Sequence, residues 1–179
     1  MGTKRITLDE LRQLAARARG NIDKIYLHWS AGNYHQFFSD YHLNIDSDGA
    51  VMATTDDLTE YKDHTWRRNS RAIGIALACC VDAVAYADGR VNFGNVPPTE
   101  LQIDSMAKVV AVLCEELRLD INAGTVMTHA EAADLDDYGP ATTFERWDLW
   151  KLPDIPGDGK LKPGGDVIRG KAIWWHHNW

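Results

Sequence analysis

Apolar positions along the chain alternate between helical and strand periods. Leu8, Leu11, Leu14, Ala15 and Ala18 recur at helical spacing, and Thr7 ahead of Asp9 and Glu10 supplies a cap and an acidic first turn, so a helix is predicted that Gly20 ends. Ile22 to Trp29 (IDKIYLHW) alternates and is rich in β-formers, which predicts a strand carrying His28 at its end. Tyr41 to Ile45 and Ala50 to Thr54 flank Asp46-Ser47-Asp48-Gly49, a hairpin signal whose positive-φ positions favour Asp and Gly. Ala72 to Val81 (AIGIALACCV) is a continuous apolar run; a strand buried on both faces and a buried helix segment both fit it. Pro97-Pro98-Thr99-Glu100 then opens the longest helical pattern, through Leu101, Ile103, Met106, Val109, Val110, Leu113 and Leu117. Beyond Asp134 the patterning fades. Asp154 to Gly170 reads as loop by its Gly and Pro content, and the last nine residues, KAIWWHHNW, hold three of the seven tryptophans. The expectation is one domain over 1–179, with a core at about 22–152 and an irregular tail over 153–179.

Composition narrows the partners. With 19 Lys+Arg against 26 Asp+Glu the net charge is −7, the wrong sign for a protein whose affinity rests on neutralising phosphates, so nucleic acid is not expected as a partner. The three cysteines, Cys79, Cys80 and Cys114, are too few for a disulfide framework or a four-thiolate zinc site and read as reduced, buried thiols. Met1 to Gly20 carries five basic residues and no apolar run, so neither a secretory signal nor a membrane span is expected, and a cytoplasmic location in the producing cell follows.

Seven histidines, His28, His35, His42, His64, His129, His176 and His177, lie outside any short zinc motif. A metal site would therefore be assembled from distant segments, since a catalytic zinc needs three protein ligands and an open position. The residues that carry a resemblance are Ile25-Tyr26-Leu27-His28-Trp29-Ser30-Ala31, then Tyr41-His42-Leu43 before Asp48-Gly49, then His64 with Asn69 and Ile73-Gly74-Ile75, then Thr128-His129. In this order and spacing, over about Ile22 to Leu152, the chain resembles the zinc-dependent N-acetylmuramoyl-L-alanine amidases, a family shared with amidase-type phage lysozymes and peptidoglycan recognition proteins.

The resemblance implies an α/β fold, a central mixed sheet flanked by helices, and a zinc bound by His28, His129 and Asp148. Asp148 matches through Arg146-Trp147-Asp148, where arginine replaces the commoner lysine and Leu149-Trp150 replaces the customary Pro-Gly. Asp134, Asp136, Asp137 and the tail histidines remain rivals for the third ligand. Tyr41 falls where hydrolytic members carry a tyrosine able to hydrogen-bond the attacking water or the oxyanion. Other members place a glutamate where this chain has Ala76. Arg146 falls where a cation would stabilise the oxyanion, and Glu131 is a candidate acceptor for an imidazole N–H or an alternative base. His64 and Asn69 match cleft-lining positions, with Arg67 and Arg68 between them as candidate grips on stem-peptide carboxylates. His35 and His42 are read as structural. The implied activity is cleavage of the amide between N-acetylmuramic acid and L-alanine of peptidoglycan, in a lysin released by a holin or carried by a phage particle, or in a recycling enzyme. The alternative is a peptidoglycan-binding module of the same fold that does not cut.

Overall fold

A computed structural model describes residues 2–179. Among these, the elements run β1 (Lys4–Ile6), α1 (Leu8–Ala18), β2 (Lys24–Trp29), β3 (Leu43–Ile45), β4 (Val51–Ala53), β5 (Ala72–Leu77), β6 (Val84–Ala85), β7 (Val91–Asn92), α2 (Glu100–Leu117), β8 (Val126–Thr128), α3 (His129–Leu135), β9 (Lys151–Pro153), β10 (Leu161–Pro163) and α4 (Gly164–Asn178). Six strands form the central sheet in the order β1-β4-β3-β5-β2-β8. β3, β5, β2 and β8 run parallel, while β4 is antiparallel to both β1 and β3. The fold is α/β with a mixed sheet, as the resemblance implies.

Strand alternation divides the sheet into two unlike faces. Ile25, Leu27 and Trp29 of β2 and Ile73, Ile75 and Leu77 of β5 join the main core, together with Leu11, Leu14 and Ala15 of α1, the apolar face of α2, and Val167, Ile168 and Ala172 of α4. The intervening residues Tyr26 and His28, and Ala72, Gly74 and Ala76, belong to the other face, where Tyr26, Ala72 and Met127 cluster with Ala132 of α3. β5 contributes only small residues to this second face. That leaves room above it for larger polar side chains, and it is why Gly74 interrupts an otherwise aliphatic run.

Local signals account for the element boundaries. Thr7 and Glu10 form a reciprocal capping box on α1, and Thr99 and Gln102 form one on α2. Gln102, fully buried, also donates to the carbonyls of Ile45 and Ala78, which ties the start of α2 to the ends of β3 and β5. Asp46 N–H bonds Ala50 O at 2.9 Å, and Gly49 sits at φ +87°, closing the β3–β4 hairpin where the Asp-Gly signal predicts it. The run from Ala72 is a strand to Leu77, buried at every position, so the helical reading of that segment falls. Cys79, Cys80 and Cys114 are buried free thiols, as expected.

The C-terminal segment departs from the expected irregular tail: Gly164–Asn178 is helical and packs on α2. Its glycines mark close approach rather than a loop. A Cβ on Gly164 would strike the Leu149 carbonyl oxygen, and one on Gly165 the Glu131 carboxylate. Among the described residues no helix is long and apolar enough to cross a membrane.

Candidate active site

His28 and His129 meet because β2 and β8 are parallel neighbours, with Leu27 level with Thr128. His28 lies one residue from the end of β2, beside Ala76 in register, and His129 is the first residue of α3, directly after β8. Both imidazoles therefore stand at the carboxyl edge of the sheet. The third member arrives on the loop between α3 and β9, pinned by the fully buried Leu149 at φ +58°. His28 Nδ1 is 3.1 Å from His129 Nδ1 and 3.0 Å from Asp148 Oδ2, and His129 Nδ1 is 3.2 Å from Asp148 Oδ1. This is the one group of three or more His, Cys, Asp or Glu among the described residues whose ligand atoms all fall within 4.8 Å of one another.

The electrostatics suit a cation at that point. Burial lowers the His28 imidazole, and Asp148 only partly restores it. Burial alone would raise the Asp148 carboxyl, yet the two imidazoles beside it hold it below the usual carboxylate range. Two imidazole nitrogens 3.1 Å apart can share no more than one proton. Two imidazole nitrogens and one carboxylate oxygen facing one point are the donor set of a catalytic zinc, and the residues present fit that ion.

The cluster lies between two lobes of an open cleft. One, of about 580 Å³, is lined by Asp63, His64, Trp66, Asp136 and Tyr138. The other, of about 310 Å³, is lined by Trp29, Tyr41, Val81, Trp147 and Asp148. His129, Glu145 and Arg146 border both lobes. The Tyr41 ring sits 4.9 Å from that of His28. Burial, with the negative charge of Asp148, pushes its phenol upward, which keeps the O–H protonated as a donor.

The remaining candidates divide. His64 is at the cleft wall, buried, with Nδ1 2.9 Å from Thr65 Oγ1. Arg67 is exposed and stacks on Trp66 at 4.4 Å. Arg68 is occupied by a two-pronged ion pair with Asp136 at 2.7 and 3.0 Å. Asn69 is turned into its own loop, its side-chain oxygen accepting from His64 N–H and Thr65 N–H. Glu131 is drawn away from both imidazoles: it completes the α3 capping box with Thr128 and takes a forked bond from Arg169 at 2.9 and 2.8 Å. The partner of His129 Nε2 is instead the Tyr138 hydroxyl, at 3.4 Å. Among the rival third ligands, Asp136 holds Arg68 and Asp134 caps Ala141 N–H. His176 and His177 lie on the exposed part of α4. Thr65, Tyr138 and Arg169 were not singled out by sequence, because no spacing marks residues that act by contact across the fold.

His42 is fully buried and structural: its Nδ1 accepts from Gly74 N–H at 3.0 Å, and its Nε2 donates to Glu60 O at 2.6 Å. Burial lowers it from the ordinary 6.5 to about 4. Between those values the unfolded chain binds the proton and the folded chain does not, so stability is lost as pH falls through that window. The loss attributable to His42 reaches about 3 kcal/mol near pH 4, at about 1.4 kcal/mol per pH unit. Urea midpoints from pH 7 to 4.5 should fall more steeply for the native protein than for His42→Gln; parallel slopes would remove His42 as a cause.

Fold and cluster together describe an amidase-type hydrolase. A family model described as N-acetylmuramoyl-L-alanine amidase matches residues 15–143, and the chain belongs to this family. The match contains His28 and His129 and stops short of Asp148, whose place beside them comes from the fold. No curated protein matches the chain.

Proposed function

We propose that the protein is a zinc-dependent hydrolase of the amide joining the lactyl group of N-acetylmuramic acid to L-alanine of the peptidoglycan stem peptide. The observation that carries this reading is the convergence of His28, His129 and Asp148 between the two lobes of the cleft of an amidase-family fold. When bound by these three residues, zinc supplies Lewis acidity, polarising the scissile carbonyl and bringing the pKa of a water to about 7.

The chain's own residues supply the rest. The cleft takes an extended substrate across the cluster, with a lobe for each side of the scissile bond. Arg146 borders both lobes and carries a permanent charge, so it stabilises negative charge developing on the carbonyl oxygen without shuttling a proton. Tyr41 offers a protonated phenol from the second lobe as a further donor to that oxygen. In-register Ala76 gives His28 no carboxylate neighbour on β5, so the group beside it on that side is the Tyr41 phenol, a hydrogen-bond donor. The exposed Trp66, with Arg67 stacked on its ring, forms an aromatic wall on the first lobe for the stem peptide.

The test is hydrolysis of purified muropeptides by protein stripped with a chelator and then reloaded. Release of a free L-alanine amino terminus should vanish on stripping and return with about one equivalent of zinc per chain. Full turnover by metal-free protein would contradict the reading.

A further inference from the structure

Thr65 is fully buried, and its hydroxyl lies between two imidazoles, 3.3 Å from His28 Nε2 and 2.9 Å from His64 Nδ1. Its backbone is fixed by Asn69, whose side-chain oxygen accepts from Thr65 N–H at 2.8 Å and whose amide donates to Asp63 at 2.9 Å. A hydroxyl carries one proton, so between two imidazoles it donates to one and accepts from the other. His64 meets this chain through Nδ1 alone, since its Nε2 is buried without any hydrogen-bond partner. Its ring is seated on Gly74, where a Cβ would come within 2.6 Å of the imidazole. A buried nitrogen left without a partner is costly, so the position calls for an explanation beyond packing.

We propose that Thr65 is a positioning residue for the metal centre, accepting the His28 Nε2–H and passing its own proton to His64 Nδ1. This chain fixes His28 in the tautomer whose bare Nδ1 faces His129 Nδ1 and Asp148. The opposite direction would place a proton on His28 Nδ1, in the middle of the ligand cluster. His64 Nδ1 is the acceptor at the end of this chain, and Gly74 makes room for its ring. The two ligands are treated unequally: His129 leans on Tyr138 at the cleft wall, whereas His28 meets the fully buried Thr65. The sheet face that carries His28 is built from small residues in β5 because it must hold this network.

The inference rests on the zinc reading, and the experiment separates the two. Zinc affinity is measured by competition with a chromophoric chelator for the native protein, Thr65→Val, Thr65→Ala, Thr65→Ser and His28→Ala, beside the apo unfolding midpoint of each. Cobalt-substituted absorption spectra report ligand geometry in the same set. Loss of a ligand's hydrogen-bond partner typically weakens metal binding about 10–100-fold. Thr65→Val and Thr65→Ala should fall in that range with altered cobalt spectra, and Thr65→Ser should restore both. Alanine serves if the valine protein does not fold. Native-like affinity in Thr65→Val and Thr65→Ala while His28→Ala loses its zinc would overturn the role of Thr65 and leave the zinc centre standing. Equal weakening in all three Thr65 variants, serine included, would also overturn it, since packing rather than the hydroxyl would be responsible. Native-like zinc binding by His28→Ala would remove the centre and this inference with it.

Discussion

His28→Ala is expected to leave the protein folded, without zinc and without measurable amide hydrolysis. The imidazole is fully buried and its Nδ1 is one of the three side-chain atoms that meet in the cluster. Two protein ligands do not hold a catalytic zinc, which needs three and an open position. The fold should tolerate the change, because the ring lies on the second face of the sheet, outside the main aliphatic core. His129→Ala should behave alike. Asp148→Asn tests the third position more finely: an amide keeps the shape but not the charge that offsets the metal, so zinc should weaken and turnover nearly disappear. Asp148→His or Asp148→Cys should retain metal, both being natural zinc ligands. Elemental analysis of the purified proteins and muropeptide hydrolysis measure all of these. Undiminished zinc in His28→Ala would refute the assignment of the centre.

The second large effect is expected at the residues that handle charge rather than metal. Tyr41→Phe removes only the phenolic oxygen from a ring 4.9 Å from His28, so zinc content and stability should hold while kcat drops about 10²-fold or more. Arg146→Ala should cost about 10²–10³ in kcat, the loss associated with one oxyanion donor. Arg146→Lys should recover part of it, since the charge persists but the forked geometry does not. The discriminating readout is kcat against KM. A rise in KM alone would mean that Arg146 binds substrate and does not stabilise the transition state. Native turnover in Tyr41→Phe would return that tyrosine to a packing role beside His28.

Much of the frame was legible because it is locally encoded. The capping box at Thr7, the Asp-Ser-Asp-Gly hairpin and the Pro-Pro-Thr-Glu start of α2 act over a few residues, and the elements begin or turn where they say. α4 was not legible. Its two leading glycines read as loop, and only the Leu149 carbonyl and the Glu131 carboxylate reveal that they answer close approach. The three-residue β1 has too few positions to show a period and exists through pairing with β4. In the site, the family pattern supplied His28, His129 and Asp148 as expectations, and the fold brings these three together. Spacing could not reveal that Glu131 would be taken by Arg169, 38 residues further on, or that Asn69 would be spent holding Thr65. Those outcomes depend on α4 and on the 63–69 loop, which assemble only in three dimensions.

The central claim is a zinc ion held by His28, His129 and Asp148. Its most direct test is an anomalous difference map from a crystal of the zinc-loaded protein, with data collected on either side of the zinc edge. One peak is expected, within coordinating distance of about 2.0–2.2 Å from His28 Nδ1, His129 Nδ1 and an Asp148 carboxylate oxygen, and it should disappear below the edge. A map with no peak between these residues, or with its strongest peak at another set of side chains, would contradict the account.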